Sequence, residues 1–547
     1  MSIEKLRGLS KYGVLADPDP YDLPVEAFTA GVNVRFRNGH ISSGPVFRNV
    51  LGLGTTDPRF CFSASPASSN FLFIGYKNGK ISKEANNTET DYTLVGYTPS
   101  VVEATWSSTV LGSVVYANRS DRAPWYLRAS DSSFQNLSAS GSAPDKWDST
   151  WSCNILRSCA GALVALYVTK GATTYTNMVK TSSLPTAGAV PTSWDQTNPA
   201  TLATENILTK MEGPIVDGCP LGQDLVIYGS REAWLMHADN STFVYSYTKL
   251  PFKKGAMNAN CSIEHDGKNF VFGTDDIWMH DGNSEVSLLD KKNRDFVFGS
   301  LNISAASKCF VQHNPKLNEI YFAYVGGDQY VNFGVQNGID GCNRQAVLNL
   351  SDMTWTFDDL PSTFSACNAV ISNSLTYATV TATYTTMGGT YQDQEDGLKR
   401  TTVYVGSLNA TYSLSTSLYA LDPYGVNSNV AYPVDTNATA PRFIERIGLD
   451  LDELNAQISG YKTLSTIYPQ ARLGSGASNL MIAVGASDNI SSAAPAYSAY
   501  QPYNGADLYK IDFNVAGRWV AYKCLFSDYR ELTITGFDFD LKMTGKR

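Results

Sequence analysis

The amino-acid sequence predicts an all-β protein: a β-propeller joined to one or more β-sandwich-like platform domains. A short phrase recurs along the first two-thirds of the chain, in which a β-branched and aromatic run meets a glycine or turn and a second apolar run follows. Phe71-Leu-Phe-Ile-Gly-Tyr-Lys-Asn-Gly-Lys-Ile81, Leu225-Val-Ile-Tyr-Gly-Ser-Arg-Glu-Ala-Trp-Leu235 and Phe270-Val-Phe-Gly-Thr-Asp-Asp-Ile-Trp-Met279 are the clearest copies. A shorter one joins Ser113-Val-Val-Tyr116 to Trp125-Tyr-Leu127. The early spacing of about 40 to 60 residues is the size of a four-stranded propeller blade. One such hairpin cannot bury its own apolar face, so the units must stack around one another. Composition points the same way. Charged residues are only 17% and aromatics 12%, with 31 Tyr and 43 Gly, which suits strands and turns better than long surface helices.

Four segments follow in chain order. Residues 1–54 read as an N-terminal arm and hairpin. In Asp17-Pro-Asp-Pro-Tyr-Asp-Leu-Pro24 the aspartates before proline are biased away from helix, which makes a stiff, extended arm. In the next stretch, Phe28 to Ile41, Val32, Val34 and Phe36 share one face, Asn38-Gly39 occupies a type I′ turn, and Arg35 and Arg37 point away from the core. Residues 55–371 carry the blades, including the paired phrases Arg344–Leu350 and Met353–Phe357. Residues 372–441 change to Thr, Ser, Tyr, Asn and Ala with few charges. They read as a long excursion or hairpin extension, with disorder as the competing reading.

Residues 442–547 form a C-terminal β platform, with strands expected near 444–451, 480–485, 509–513, 517–525 and 532–541. Arg442 to Ser459 is the best place to look for a helix, although its first residues partly alternate like a strand.

A net charge of −9 and a pI near 5.2 argue against stable nucleic-acid binding, which draws its affinity from neutralising phosphates. Transient passage of DNA past an acidic wall is compatible with that charge. The nine cysteines are odd in number and include no CxxC spacing, so they read as reduced, buried small hydrophobes. Met-Ser-Ile-Glu-Lys-Leu-Arg at the start lacks the apolar stretch of a signal peptide, and no run reaches about 18 apolar residues. Synthesis in a reducing cytoplasm and no membrane insertion are expected.

The five histidines form no metal-ligand spacing, and no nucleophile elbow, P-loop or dinucleotide fingerprint is present. His237 and His280 follow similar tryptophan-containing phrases and look like equivalent positions of the repeat. No catalytic residue, metal or cofactor is predicted, and the chain is not expected to be an enzyme. The alternative is a propeller-type carbohydrate-binding or glycan-degrading protein. A glycosidase needs paired carboxylates. Asp275-Asp276 sits at a turn, Asp450 and Asp452 alternate on a strand, and no sialidase-type Asp-box occurs. A monomeric propeller that serves as an interaction hub is a third class.

Both ends of the chain resemble the tail nozzle proteins of short-tailed bacteriophages. Phe28-Thr-Ala-Gly-Val-Asn-Val-Arg-Phe-Arg-Asn-Gly39, followed by Gly44-Pro-Val-Phe-Arg48, looks like their opening. Gly517-Arg-Trp-Val-Ala-Tyr-Lys523, Leu532-Thr-Ile-Thr-Gly-Phe-Asp-Phe-Asp540 and Gly545-Lys-Arg547 look like their closing strands. The group includes the tubular tail protein B type and, more distantly, the packaged-DNA stabilisation proteins. Ser42-Ser43 departs from the pattern, where a charged residue would be usual.

The resemblance implies a structural virion protein, a homo-hexamer below the adaptor ring at the distal end of the tail. It implies tail fibres or spikes at the sides and double-stranded DNA leaving along the axis. Arg35, Arg37 and Arg48 are then expected to contact a neighbouring subunit or the adaptor, with plain solvent exposure as the alternative for the first two.

Overall fold

The computed structural model describes residues 2–52, 57–66, 71–85, 88–140, 145–239, 244–328, 340–370, 400–406, 417–422, 430–432, 442–449, 460–473, 480–489, 495–503, 509–526 and 532–545. The chain is a β-propeller packed against a two-sheet β platform. Five blades are consecutive four-stranded antiparallel meanders. Their inner strands are Pro58–Ala64, Trp106–Leu111, Trp151–Cys159, Asp217–Leu221 and Ser262–His265. A sixth blade runs through Phe310–Asn314, Glu319–Tyr324 and Cys342–Asn349 into the long strand Thr354–Val370.

That long strand serves two blades. Its first part pairs with Cys342–Asn349. Register then shifts around Ser362 (φ 54°), and the remainder pairs with Arg400–Gly406. Ser417–Asp422 continues this seventh blade, the N-terminal strand Val46–Gly52 pairs with it, and Val430–Tyr432 adds a short strand beyond that. The ring is therefore shut where a strand from before the first blade pairs with strands from after the sixth. Blade strands thus come from beyond residues 55–371: three lie in the expected excursion and one in the expected arm. Residues 371–399, and the linkers around the excursion strands, lie outside the described residues.

The blade-to-blade seams are filled by apolar side chains, as sheets with two covered faces require, and those around the fifth blade merge with the platform core. Phe62, Phe73, Trp106 and Trp125 fill the seam between the first and second blades. Trp147, Trp194 and Leu156 fill the next. Between the seventh and first blades lie Ile74, Val403, Val405 and Leu418, with Cys61 and Cys367 among them.

The platform has two sheets. One orders Ala30–Val32, Arg442–Leu449, Trp519–Phe526, Leu480–Ser487 and Gln501–Tyr503. The other contains Val34–Arg37, His40–Ser43, Leu532–Gly545, Tyr461–Leu473 and Ile511–Gly517, with Ser2–Arg7 also on Leu532–Gly545. Alternating residues of both, such as Ile444, Val520 and Tyr522 against Leu464, Phe537 and Phe539, make the core between them. The stretch with helical promise is a strand over Arg442–Leu449, where β-branched and aromatic residues gain two pairing partners. Asp450 and Asp452 lie outside the described residues.

Propeller and platform are continuous. Val32 pairs in parallel with Phe357 of the sixth blade and antiparallel with Phe443 of the platform. Among the described residues no helix is long and apolar enough to cross a membrane.

Candidate assembly platform and axial cavity

The two segments that carry the resemblance meet in the platform. Asn38 (φ 51°) and Gly39 (φ 81°) both take the left-handed backbone that a type I′ turn demands, so Phe36 faces Ile41 across a tight hairpin. The second hairpin strand pairs with the closing strand, Ile41 opposite Ile534. Asn33 (φ 55°) breaks the preceding strand, which puts Val32 in one sheet and Val34 in the other. The expected single strand face is thus split between two layers of one sandwich.

Arg35 and Arg37 require a correction. Arg35 is 4% exposed, and its guanidinium grips both oxygens of Asp358 at 2.7 and 2.6 Å, with Nε 2.9 Å from Glu319 Oε1. Burial works against its charge, but Asp358 and Glu319 outweigh that and hold its pKa above the ordinary arginine value. Arg37, half-buried, bonds to the Leu317 carbonyl and to Glu319. Both arginines point away from the sandwich core, but what they meet is the sixth blade of their own chain. Arg48 lies in a seventh-blade strand between Ser417–Asp422 and Val430–Tyr432, opposite Ala420 and Val430; its side chain is outside the described residues.

A second buried cluster flanks this one. Arg344, 0% exposed, pairs with Asp359 at 2.7 Å and Asp328 at 3.1 Å, while Asn33 Oδ1 accepts the Asp359 amide. Sequence reasoning missed this knot. The signal was present in Asp358-Asp359, two adjacent carboxylates inside an apolar strand phrase, which burial permits only when both are paired.

The N-terminal arm is also held by its own chain. Asp17 accepts from the Asp295 and Phe296 amides, both at 2.8 Å, and so caps the helix Arg294–Ser300. Arg446 Nη1 donates to the Pro20 carbonyl at 2.6 Å and Nη2 to that of Leu23 at 2.9 Å, and Tyr21 packs edge-on against Trp519.

On the propeller axis lie two adjoining cavities of about 270 and 280 Å³ that share Phe60, Asn260, Phe310 and Ser365. Arg157 lines the one of about 280 Å³, bonding Asp217 at 2.8 Å and Asn260 at 3.2 Å, and Ser262 donates to the same Asp217. At the mouth, Arg59 binds both Glu103 (2.9 Å) and Asp340 (2.5 Å), and Lys308 also bonds Asp340. Although its partial burial acts the other way, Lys308 and Arg59 hold the Asp340 carboxyl below the usual range. A carboxylate clamped in its ionised form is a poor general acid.

His237 and His280 are not equivalent. Trp234 pairs with Ile227 and Trp278 with Val271, and His237 stands three residues past its tryptophan where His280 stands two past its own. That single step turns them to opposite faces. His237 is exposed beside Asp224, whereas His280 is buried. The Gly282 amide donates to His280 Nδ1, so the proton of the neutral ring sits on Nε2, 2.6 Å from Tyr228 Oη. Among the described residues no three His, Cys, Asp or Glu are grouped to hold a metal ion.

No family model matches the chain. Nor does any curated protein match it. Among the solved structures that match is one described as YCF48 bound to D1 peptide, 11% identical, with a TM-score of 0.33, over 57% of this chain and 84% of that one.

Proposed function

We propose that the chain is a structural virion protein that assembles six to a ring as the nozzle at the distal end of a short phage tail. There it extends and closes the DNA-ejection channel and anchors fibres or spikes. The observation that supports this most is the convergence in the platform. The opening hairpin and the last closing strand, distant in sequence and both within the segments that resemble nozzle proteins, are hydrogen-bonded neighbours in one sheet. A shared sequence pattern at both ends then has one physical reason, a jointly built platform.

DNA would pass between copies, not through a propeller. The axial cavity of about 280 Å³ is the volume of roughly nine waters at about 30 Å³ each. Duplex DNA, whose major groove alone is about 12 Å wide, cannot enter it. A ring of copies supplies a wider hole through heterologous contacts that close by rotation. The adaptor ring above and fibres or spikes at the sides are the partners this reading requires.

Reconstruction of particles carrying the protein tests the reading. Six copies around the axis at the tail's distal end would support it. Density on the capsid shell, or a single copy on a fibre, would overturn it.

A further inference from the structure

We propose that Cys61 and Cys367 are the site of a disulfide that locks the propeller ring, formed by a small oxidant such as hydrogen peroxide reaching the axial cavity. Cys61 lies on the inner strand of the first blade and Cys367 on the inner strand of the seventh, so the pair straddles the seam where the two ends of the ring meet. Both line the same axial cavity, and they are 2% and 8% exposed. Their thiols touch. The Cys61 thiol, first, and burial, second, raise the pKa of Cys367. Cys61 Sγ also lies 3.9 Å from Ser365 Oγ, the residue two before Cys367 on the same strand and face.

The chemistry balances with peroxide as the named oxidant. Cys61 attacks one peroxide oxygen, the O–O bond breaks, and Cys61 becomes a sulfenic acid as one water leaves. Cys367 then attacks that sulfur, the S–O bond breaks, and a second water carries away its oxygen. Two thiols lose two hydrogens and two electrons, and one peroxide becomes two waters. The raised pKa makes Cys367 a slow partner, so the bond forms slowly in a reducing cytoplasm and accumulates outside it.

The bond does for this ring what the strand Val46–Gly52 does by hydrogen bonding. It ties the last blade to the first, and it holds independently of the nozzle reading.

Intact, folded protein should be treated with hydrogen peroxide, quenched, alkylated under denaturing conditions and mapped by mass without reduction. The expected product is one cross-linked peptide pair containing residues 61 and 367, reversed by dithiothreitol. The unfolding midpoint should rise by about 3 °C in the wild type and not in Cys61→Ser. Cys367→Ala serves as a second variant should Cys61→Ser fold poorly. A cross-link between other cysteines, such as Cys261 and Cys309, whose thiol and carbonyl also meet, would overturn the assignment. So would sulfinic acid at either position without a cross-link, or two free thiols after exposure sufficient to oxidise the surface methionines.

Discussion

The first five blades and the seventh are built from the same kind of strand, yet they are assembled in opposite ways. Each of the five is four consecutive strands, most joined by short turns, with residues 182–203 as a longer connection in the third blade. The seventh takes strands from near residues 50, 365, 403, 420 and 431, and the platform joins residues 2–43 to residues 442–545. Local blades need only their own turn chemistry and apolar alternation. The seventh blade and the platform need the chain ends to find each other, so their loop-closure cost must be met before their contacts form. Damage to the second group should therefore spread through the molecule, whereas damage to the first should stay local.

The largest effect is expected from removing residues 1–54. That takes away a seventh-blade strand and the platform hairpin together, and the loss of Phe47 uncovers Tyr404 and Tyr419. Loss of soluble, folded protein on expression is the expected result. As a control, two extra residues in the exposed turn at Gly171 of the third blade should cost less than about 1 kcal/mol in urea unfolding. Equal damage from both changes would dissolve the contrast.

Arg35→Ala comes next. It leaves Asp358 and Glu319 buried without their main counter-charge, for a loss on the order of 3–5 kcal/mol in denaturant unfolding. Arg37→Ala should cost less, since its side chain is 25% exposed. An Arg35→Ala protein as stable as the wild type would show that the knot between hairpin and sixth blade is not a stabilising contact.

Acid gives a smaller effect, seated in a local blade. Burial holds the His280 imidazole down at about 4. As pH falls below the ordinary value near 6.5, the unfolded chain takes up this proton and the folded chain does not. Stability should decline between about pH 6.5 and pH 4 by on the order of 3 kcal/mol, with full stability above that window. His280→Gln should flatten that part of the profile. The smallest change is Asp17→Ala, which uncaps the helix from the N-terminal arm for about 1 kcal/mol.

Legibility in the sequence follows the same divide. The phrases at 71–81, 225–235 and 270–279 fall on strand pairs of real blades because both partners lie within one turn of each other. The Asn38-Gly39 turn was readable for the same reason. The sequence also showed that Arg35 turns away from the platform core, but not that the sixth blade, more than 300 residues later, stands there to receive it. The histidine phrases misled because similar wording one residue out of step reverses the face. The seventh blade was illegible because its strands are shared among three distant stretches, none of which shows the four-strand spacing.

The central claim is that the jointly built platform serves a ring of six on a tail adaptor. Native mass spectrometry of the purified protein, alone and mixed with candidate adaptor rings, tests it most directly. The expected result is six copies, either free or formed on the adaptor. A protein that stays monomeric at high concentration and leaves the adaptor rings unoccupied would contradict the claim.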